Sequence, residues 1–525
     1  MAEPGTILTA VELCFKLGIR IAEACEAWKN ADTEVQERIT KLDLHWAQTK
    51  IQIEFMQKIA RTIDADLLET MDKVLALLAT KLTLTSAKLD KLLESPGATT
   101  APASKWKVKR GRYALTKNTL DEIMEDLEQW QKRFDPCWFL MMKIASPLID
   151  QELRELSKKD AVASKDQENP KAPSPSAAAR KPVSLADGVR DSLRETPQHS
   201  ASVFLPLDPA LEFSPIAFSP ARLALRHSKS NHIAVRKDVR DLARKLANSD
   251  PSTFGLLKAK GAITVQGQDT QQVKQYNFIY HVPEGLTAPT SLRQVLMQNH
   301  DCLHLSQQIR IARDLATSVG FVHNFNFVHK NIHPEAIILF KSPEGDSMST
   351  FLVGFECFRS ADAGTLRKGD ADWHKDLYRH PTRQGLNPEA SYAMQHDIYS
   401  LGVCLLELGL STPLVTYDAL EEEPKRGPLL TEIDEGGVDT DICPLFLPAM
   451  QKAYRIKDSL LSLAKTRLSR RMGPRYSAVV ATCLTCLDVD NDDFGDESEM
   501  ADEDGIIVGV RFIEKIIAKL NDIAV

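Results

Sequence analysis

His329-Lys330-Asn331-Ile332-His333-Pro334-Glu335-Ala336-Ile337-Ile338-Leu339 is the stretch on which the reading of this 525-residue chain turns. Before it, Leu305, Ile309, Ala312, Leu315, Ala316, Val319 and Val322 recur every three or four residues, as the buried face of a helix does. After it, Phe351-Leu352-Val353 reads as a strand that ends in Gly354-Phe355-Glu356. Within it, the amide of Asn331 has no basic oxygen near pH 7. The Ala336 methyl offers nothing to a hard cation that demands oxygen ligands.

Helix, loop and strand in this order are followed by Tyr378-Arg379-His380-Pro381 and by Asp397-Ile398-Tyr399-Ser400-Leu401-Gly402-Val403. Together they resemble the C-terminal lobe of a protein kinase. The loop of that family is H-R-D-x-x-x-x-N, whose Asp accepts the substrate hydroxyl proton and whose Asn helps to hold magnesium; the Asp of D-F-G holds magnesium as well. The resemblance puts these roles on Asn331, Ala336 and Gly354, and none of the three can perform them. It implies a pseudokinase with no catalytic residue, in which His329 and Phe355 pack in the core and Asp397 holds the loop backbone. Loss of a general base alone costs about 10²- to 10⁴-fold in rate.

The N-terminal lobe is fainter. Ile233-Ala234-Val235-Arg236-Lys237 resembles the V-A-I-K strand, with Arg236 or Lys237 as the nucleotide-binding cation, and Val239 to Ala247 reads as the short helix after it. Phe278-Ile279-Tyr280-His281-Val282-Pro283 resembles the last strand and hinge, which makes His281 and Val282 nucleotide-binding candidates. No Gly occurs between Gly188 and Gly255, so no loop there lets backbone N–H groups approach phosphates. ATP and magnesium are therefore not supported by the motifs, and no cofactor or metal is expected.

Length allows two or more domains, since cores rarely grow beyond about 250–300 residues. A net charge of -7 gives no global drive toward nucleic acid or an anionic membrane. Nine scattered cysteines and the lack of a secretory signal favour a reduced, cytoplasmic setting. The pair Cys483 and Cys486 lies in an apolar helical run and reads as core packing, because a structural zinc needs four ligands.

In the first half, Ile7, Val11, Cys14, Gly18, Ile21, Cys25 and Trp28 alternate steps of four and three. Val35, Ile39, Leu42, Trp46, Thr49, Ile53 and Met56 do the same, then Leu68, Met71, Leu75, Leu78 and Leu82. A fourth stripe, Leu120, Ile123, Leu127, Trp130 and Phe134, is expected to stop at Asp135-Pro136, with a fifth helix from about Trp138. Such stripes make a helical bundle. The N-terminal Met-Ala-Glu-Pro, the early apolar helix and Leu127 to Leu140 resemble the fungal HeLo or HeLo-like domain. That family implies programmed cell death and heterokaryon incompatibility through membrane permeabilisation. Bundle and pseudokinase in this order are similar in layout to the mixed lineage kinase domain-like necroptosis effectors. The basic run Lys105, Lys107, Lys109, Arg110 and Arg112 is the candidate contact with anionic lipid, although a solvated loop has the same composition.

The expected fold class is thus α+β: an all-α bundle over 1–157, a flexible linker over 158–212 rich in Pro, Ser, Ala and Lys, and a bilobal protein-kinase-like domain over 213–525. The expected function is a signalling pseudokinase that regulates a membrane-targeting cell-death bundle. An upstream receptor or activator protein, an anionic plasma membrane after activation and further copies of the chain are the implied partners, without nucleic acid. An active or weakly active ATP-binding serine/threonine kinase and a scaffold without membrane activity remain as alternatives.

Overall fold

The computed structural model describes residues 4–26, 33–63, 65–94, 107–108, 113–163, 179, 181–193, 204–205, 218–221, 229–266, 273–298, 303–342, 348–355, 359–360, 372–417, 423–435, 449–494 and 506–524. The fold is α+β, with helices throughout the first part and small, mostly antiparallel sheets in the second. It divides into two compact units, Met1–Arg190 and Asp191–Val525. Among the described residues no helix is long and apolar enough to cross a membrane.

The first unit is built on α1 (Pro4–Glu26), α2 (Thr33–Ile59), α3 (Ala65–Leu92), α4 (Tyr113–Leu140) and α5 (Pro147–Ala163), with a two-residue strand β1 (Leu93–Glu94) paired antiparallel to β2 (Lys107–Val108). Apolar side chains at helical spacing are the cause: Val11, Cys14 and Ile21 on α1 and Ile39, Leu42, Trp46 and Ile53 on α2 are all buried. On α3 the stripe starts at Leu67 rather than Leu68, which is half-buried. Two N–H groups of the aromatic core find backbone acceptors: Trp130 Nε1 donates to Val74 O at 3.0 Å and Trp138 Nε1 to Pro182 O at 3.4 Å.

Two expectations fail here. Helix α4 runs straight through Asp135-Pro136 to Leu140, and the next helix begins only at Pro147. An internal proline costs about 3 kcal/mol, but Phe134, Trp138, Phe139 and Leu140 around it are almost wholly buried, with Trp138 edge-on to Phe55 and Phe134 stacked on Trp130, which outweighs the lost hydrogen bond. The expected linker contains a helix, α6 (Lys181–Leu193), whose Val183, Ala186 and Val189 are buried. Pro182 does not oppose it, because a first-turn residue has no N–H bond to lose. Arg190 secures α6, donating to Met142 O at 2.6 Å, Ile144 O at 2.5 Å, Ser146 O at 3.3 Å and Asp150 Oδ1 at 2.7 Å. The boundary between the two units falls inside this helix, after Arg190.

In the second unit a four-stranded sheet has the order β3-β5-β6-β4, formed by β3 (Phe204–Leu205), β4 (Phe218–Ala221), β5 (Ala259–Gln266) and β6 (Val273–Tyr280). Helix α7 (Lys229–Ala247) buries Val239, Leu242, Ala243 and Leu246. The strand expected over 233–237 is therefore the first half of α7. The stripe spaced three and four apart continues from the helix and no turn residue separates the two parts. The strand that precedes α7 and pairs with β6 is Phe218–Ala221, hidden in the sequence by Pro220. β3 likewise falls in the expected linker.

The rest is helical around α9 (Met394–Leu410), every residue of which is buried. Helix α8 (Leu305–Asn324) packs on it. A second sheet, β10-β9-β7, joins β7 (Thr287–Ser291), β9 (Ile337–Lys341) and β10 (Met348–Leu352). Between α8 and β9 lies the two-residue strand β8 (Phe327–Val328). Near the C-terminus α10 (Ala449–Leu463) runs through a π turn, Ala464–Leu468, into Ser469–Met472, and α11 (Pro474–Leu484) follows. Cys483 and Cys486 are buried free thiols, both pushed upward by burial.

Candidate functional site

The loop 329–336 is held from three sides. Strand β8 delivers it from α8, β9 carries it away, and Val353 N, just after β10, donates to Ala336 O at 2.8 Å to close the turn. Beneath it the first turn of α9 presents Asp397, which is fully buried. One carboxylate oxygen accepts from His329 N at 2.7 Å and lies 3.0 Å from His323 Nε2; the other accepts from Lys330 N at 2.9 Å and from the Tyr392 hydroxyl at 2.6 Å. Burial by itself would raise this carboxyl, but His323, His329 and the Tyr392 hydroxyl hold it below the usual carboxylate range. The two backbone bonds pin Lys330 in a left-handed conformation, φ 63°, a geometry that lysine does not choose unaided.

His329 is buried with its Nε2 2.9 Å from Val353 O and its ring 4.5 Å from that of Phe355. Burial pushes its pKa down to about 4, so it is neutral at pH 7. Asn331 turns inward and its Nδ2 donates to Gly354 O at 3.1 Å. Gly354 has φ 83°, and a Cβ added to it would lie 2.8 Å from Ala336 Cβ and 3.6 Å from Asn331 Nδ2. Asn331, Ala336 and Gly354, spread over two segments of the sequence, are thus one packed cluster. It contains an amide, a methyl group and a bare backbone, and no carboxylate. Among the described residues no group of three or more His, Cys, Asp or Glu side chains gathers at metal-binding spacing.

The nucleotide candidates are not brought together. Arg236 and Lys237 are exposed on α7, and Arg236 lies near enough to Tyr276 on β6 to affect its hydroxyl. His281 and Val282 are exposed beyond the far end of β6, five and six residues from Tyr276, or roughly 17 to 20 Å along a strand. Of the lipid candidates, Lys105, Lys109, Arg110 and Arg112 lie outside the described residues. Lys107 is placed only through its backbone, in a two-residue strand opposite Glu94.

Sequence reasoning missed a buried charge cluster beside the loop. Arg293, on the short helix Leu292–Gln298, donates to Glu335 Oε1 and Glu407 Oε1, each at 2.9 Å, and to the Tyr378 hydroxyl. Tyr378 donates in turn to Glu407 Oε2 at 2.8 Å, and Leu414 N to Glu407 Oε1 at 2.6 Å. Burial pushes Glu407 upward against the attraction of Arg293. Glu335 is drawn below its ordinary value by His333 and Arg293 although burial opposes this. The available signal was Glu407 itself, a lone charge within the apolar run Leu401 to Leu410. This cluster ties the Pro334-Glu335-Ala336 turn to α9, so the loop is clamped at both ends by buried charges.

No protein-family model matches the chain, and no curated protein matches it.

Proposed function

We propose that the second unit is a pseudokinase, a kinase-like regulatory domain without phosphotransfer, and that it controls a HeLo-type bundle formed by the first. The observation that supports this most directly is the Asn331–Ala336–Gly354 cluster. At the three positions where the kinase resemblance requires a base and two metal ligands, the Asn331 amide is used up on the Gly354 carbonyl, Ala336 sets its methyl against Gly354, and Gly354 carries no side chain at all. Phosphoryl transfer depends on positioned charge, and this cluster supplies none. Its clamps, Asp397 and Arg293, nevertheless keep the loop in one conformation, as a domain that signals by shape requires.

For the bundle, the support is the way α1 is seated. It lies over α2 and α3 through Val11, Cys14, Gly18 and Ile21, while Leu13 and Ile19 are 44% and 50% exposed on its outer side. A helix with apolar residues on both sides can exchange a protein core for a lipid interface. In this reading, the activated chain is recruited from the cytoplasm to an anionic plasma membrane.

Two measurements test the reading. Full-length protein incubated with ATP and magnesium should transfer no phosphate to itself or to generic substrates; magnesium-dependent transfer would overturn the pseudokinase half. Residues 1–193 should leak dye from anionic liposomes while the intact chain does not. Intact liposomes at all concentrations would overturn the membrane half and favour the scaffold.

A further inference from the structure

Residues 449–475 carry eight Lys and Arg and a single acid, Asp458, in a chain whose net charge is -7. Lys465, Arg467, Arg470, Arg471 and Arg475 are all exposed. The π turn Ala464–Leu468 carries the first two of them and the α-helical turn Ser469–Met472 the next two. Arg467 pairs with Glu432 at 2.5 Å, Arg471 reaches Ser411 Oγ at 3.0 Å and Arg475 reaches Asp522 O at 3.2 Å. Lys465 and Arg470 have no partner among the described residues. This face is at the N-terminal end of α11.

At the other end of α11 the charge reverses. The loop after Leu484 is pinned by Asn491 Nδ2 to Thr485 Oγ1 at 2.7 Å and by Thr482 Oγ1 to Asp493 Oδ2 at 3.0 Å. Asp493 also pairs with Lys515 at 2.9 Å. The pinned loop raises Val489, 94% exposed, between Asp488 and Asp490. Asp490 and Asp492 are exposed with no partner among the described residues. Eleven helical residues, about 16 Å, separate the basic face from this acidic tip, and the pins stop the tip from folding back to reach it. Within one molecule the charges meet only at the root of the tip, where Lys457 of α10 pairs with Asp488; Lys465 and Arg470 on one side and Asp490 and Asp492 on the other stay unpaired among the described residues and are complementary.

We propose that the acidic tip Val489–Asp492 of one copy docks on the basic face Lys465–Arg475 of a second copy. Because the two patches are different surfaces, the contact is head-to-tail and leaves a free patch at each end for further copies. It stands independently of the pseudokinase reading.

Sedimentation velocity on the full chain tests it. Association should rise with concentration at low ionic strength and fall as salt screens the contact. Lys465→Glu with Arg470→Glu, and separately Asp490→Lys with Asp492→Lys, should each weaken association by on the order of tenfold or more. Mixing the two double variants should restore it, since each then offers the charge that the other lacks; this outcome also shows that both are folded. A wild-type chain that stays monomeric at low salt would overturn the proposal. So would double variants that associate as strongly as wild type, as they would if the bundle alone carried association.

Discussion

The methyl group of Ala336 occupies the space that any side chain on Gly354 would have to enter, with 2.8 Å between the Ala336 Cβ and a Cβ built on Gly354. Introducing single residues that the kinase resemblance calls for should therefore harm the fold before it helps any chemistry. Gly354→Asp meets both this contact and the positive φ, and Asn331→Asp replaces the donor to Gly354 O by a carboxylate oxygen facing a carbonyl. Each should lower stability by about 1–3 kcal/mol, read from urea midpoints, with no gain of magnesium-dependent phosphate transfer.

Asp397 accepts from two backbone N–H groups and from the Tyr392 hydroxyl, and contacts His323. An amide at this position can satisfy only half of them and turns donors against donors. Asp397→Asn should cost about 3–5 kcal/mol and release the strained Lys330. Limited trypsin digestion should then cut after Lys330 in the variant and spare it in wild type.

Arg190 satisfies three carbonyls around the α4–α5 turn. Arg190→Ala should destabilise the first unit by about 2–3 kcal/mol. A fragment ending at residue 157, which lacks α6 altogether, should melt lower than one ending at residue 193, and circular dichroism would show both effects.

Gly18 lets α1 lie directly on Trp46: a Cβ there would lie 1.9 Å from the indole ring. Gly18→Ala must displace α1 or the ring, at about 1–3 kcal/mol. If α1 acts on membranes, the same variant should increase liposome leakage by the intact chain, while a bundle that serves only as a scaffold would lose stability without leakage.

Acid should weaken the second unit. His329 and His396 are pushed down to about 4 and His380 to about 3, in each case mainly by burial. An unfolded chain takes up these protons near pH 6.5, the folded one only much lower. The neutral-histidine contribution is therefore intact above about pH 6.5 and lost as pH falls toward 4. Urea midpoints measured between pH 7.5 and 4 should fall over that window, and His380→Phe, which fills the same ring-lined site, should flatten the slope.

Several of these features are legible in the amino-acid sequence. The stripes through Val11, Leu42, Leu75 and Leu127 are periodic, and periodicity reports a buried helix face directly. Asn331, Ala336 and Gly354 could be marked as chemically inert from their side chains alone. What stayed hidden were effects of partners distant in sequence. The helix could continue through Pro136 because Trp138 and Phe134 on either side of it pack on Phe55 and Trp130, and residues 181–193 became a helix of the bundle because Arg190 found carbonyls some forty-five residues earlier. The reading of 233–237 failed because an apolar run of three residues does not distinguish strand from helix until its neighbours are known.

The sequence by itself determined which groups are absent: an amide cannot be a base and a methyl cannot hold a cation, whatever surrounds them. Tertiary structure alone decided what those residues do instead. Contact depends on position in space, so only the folded chain could bring Ala336 against Gly354, set Asp397 under the loop, and place opposite charges at the two ends of one helix.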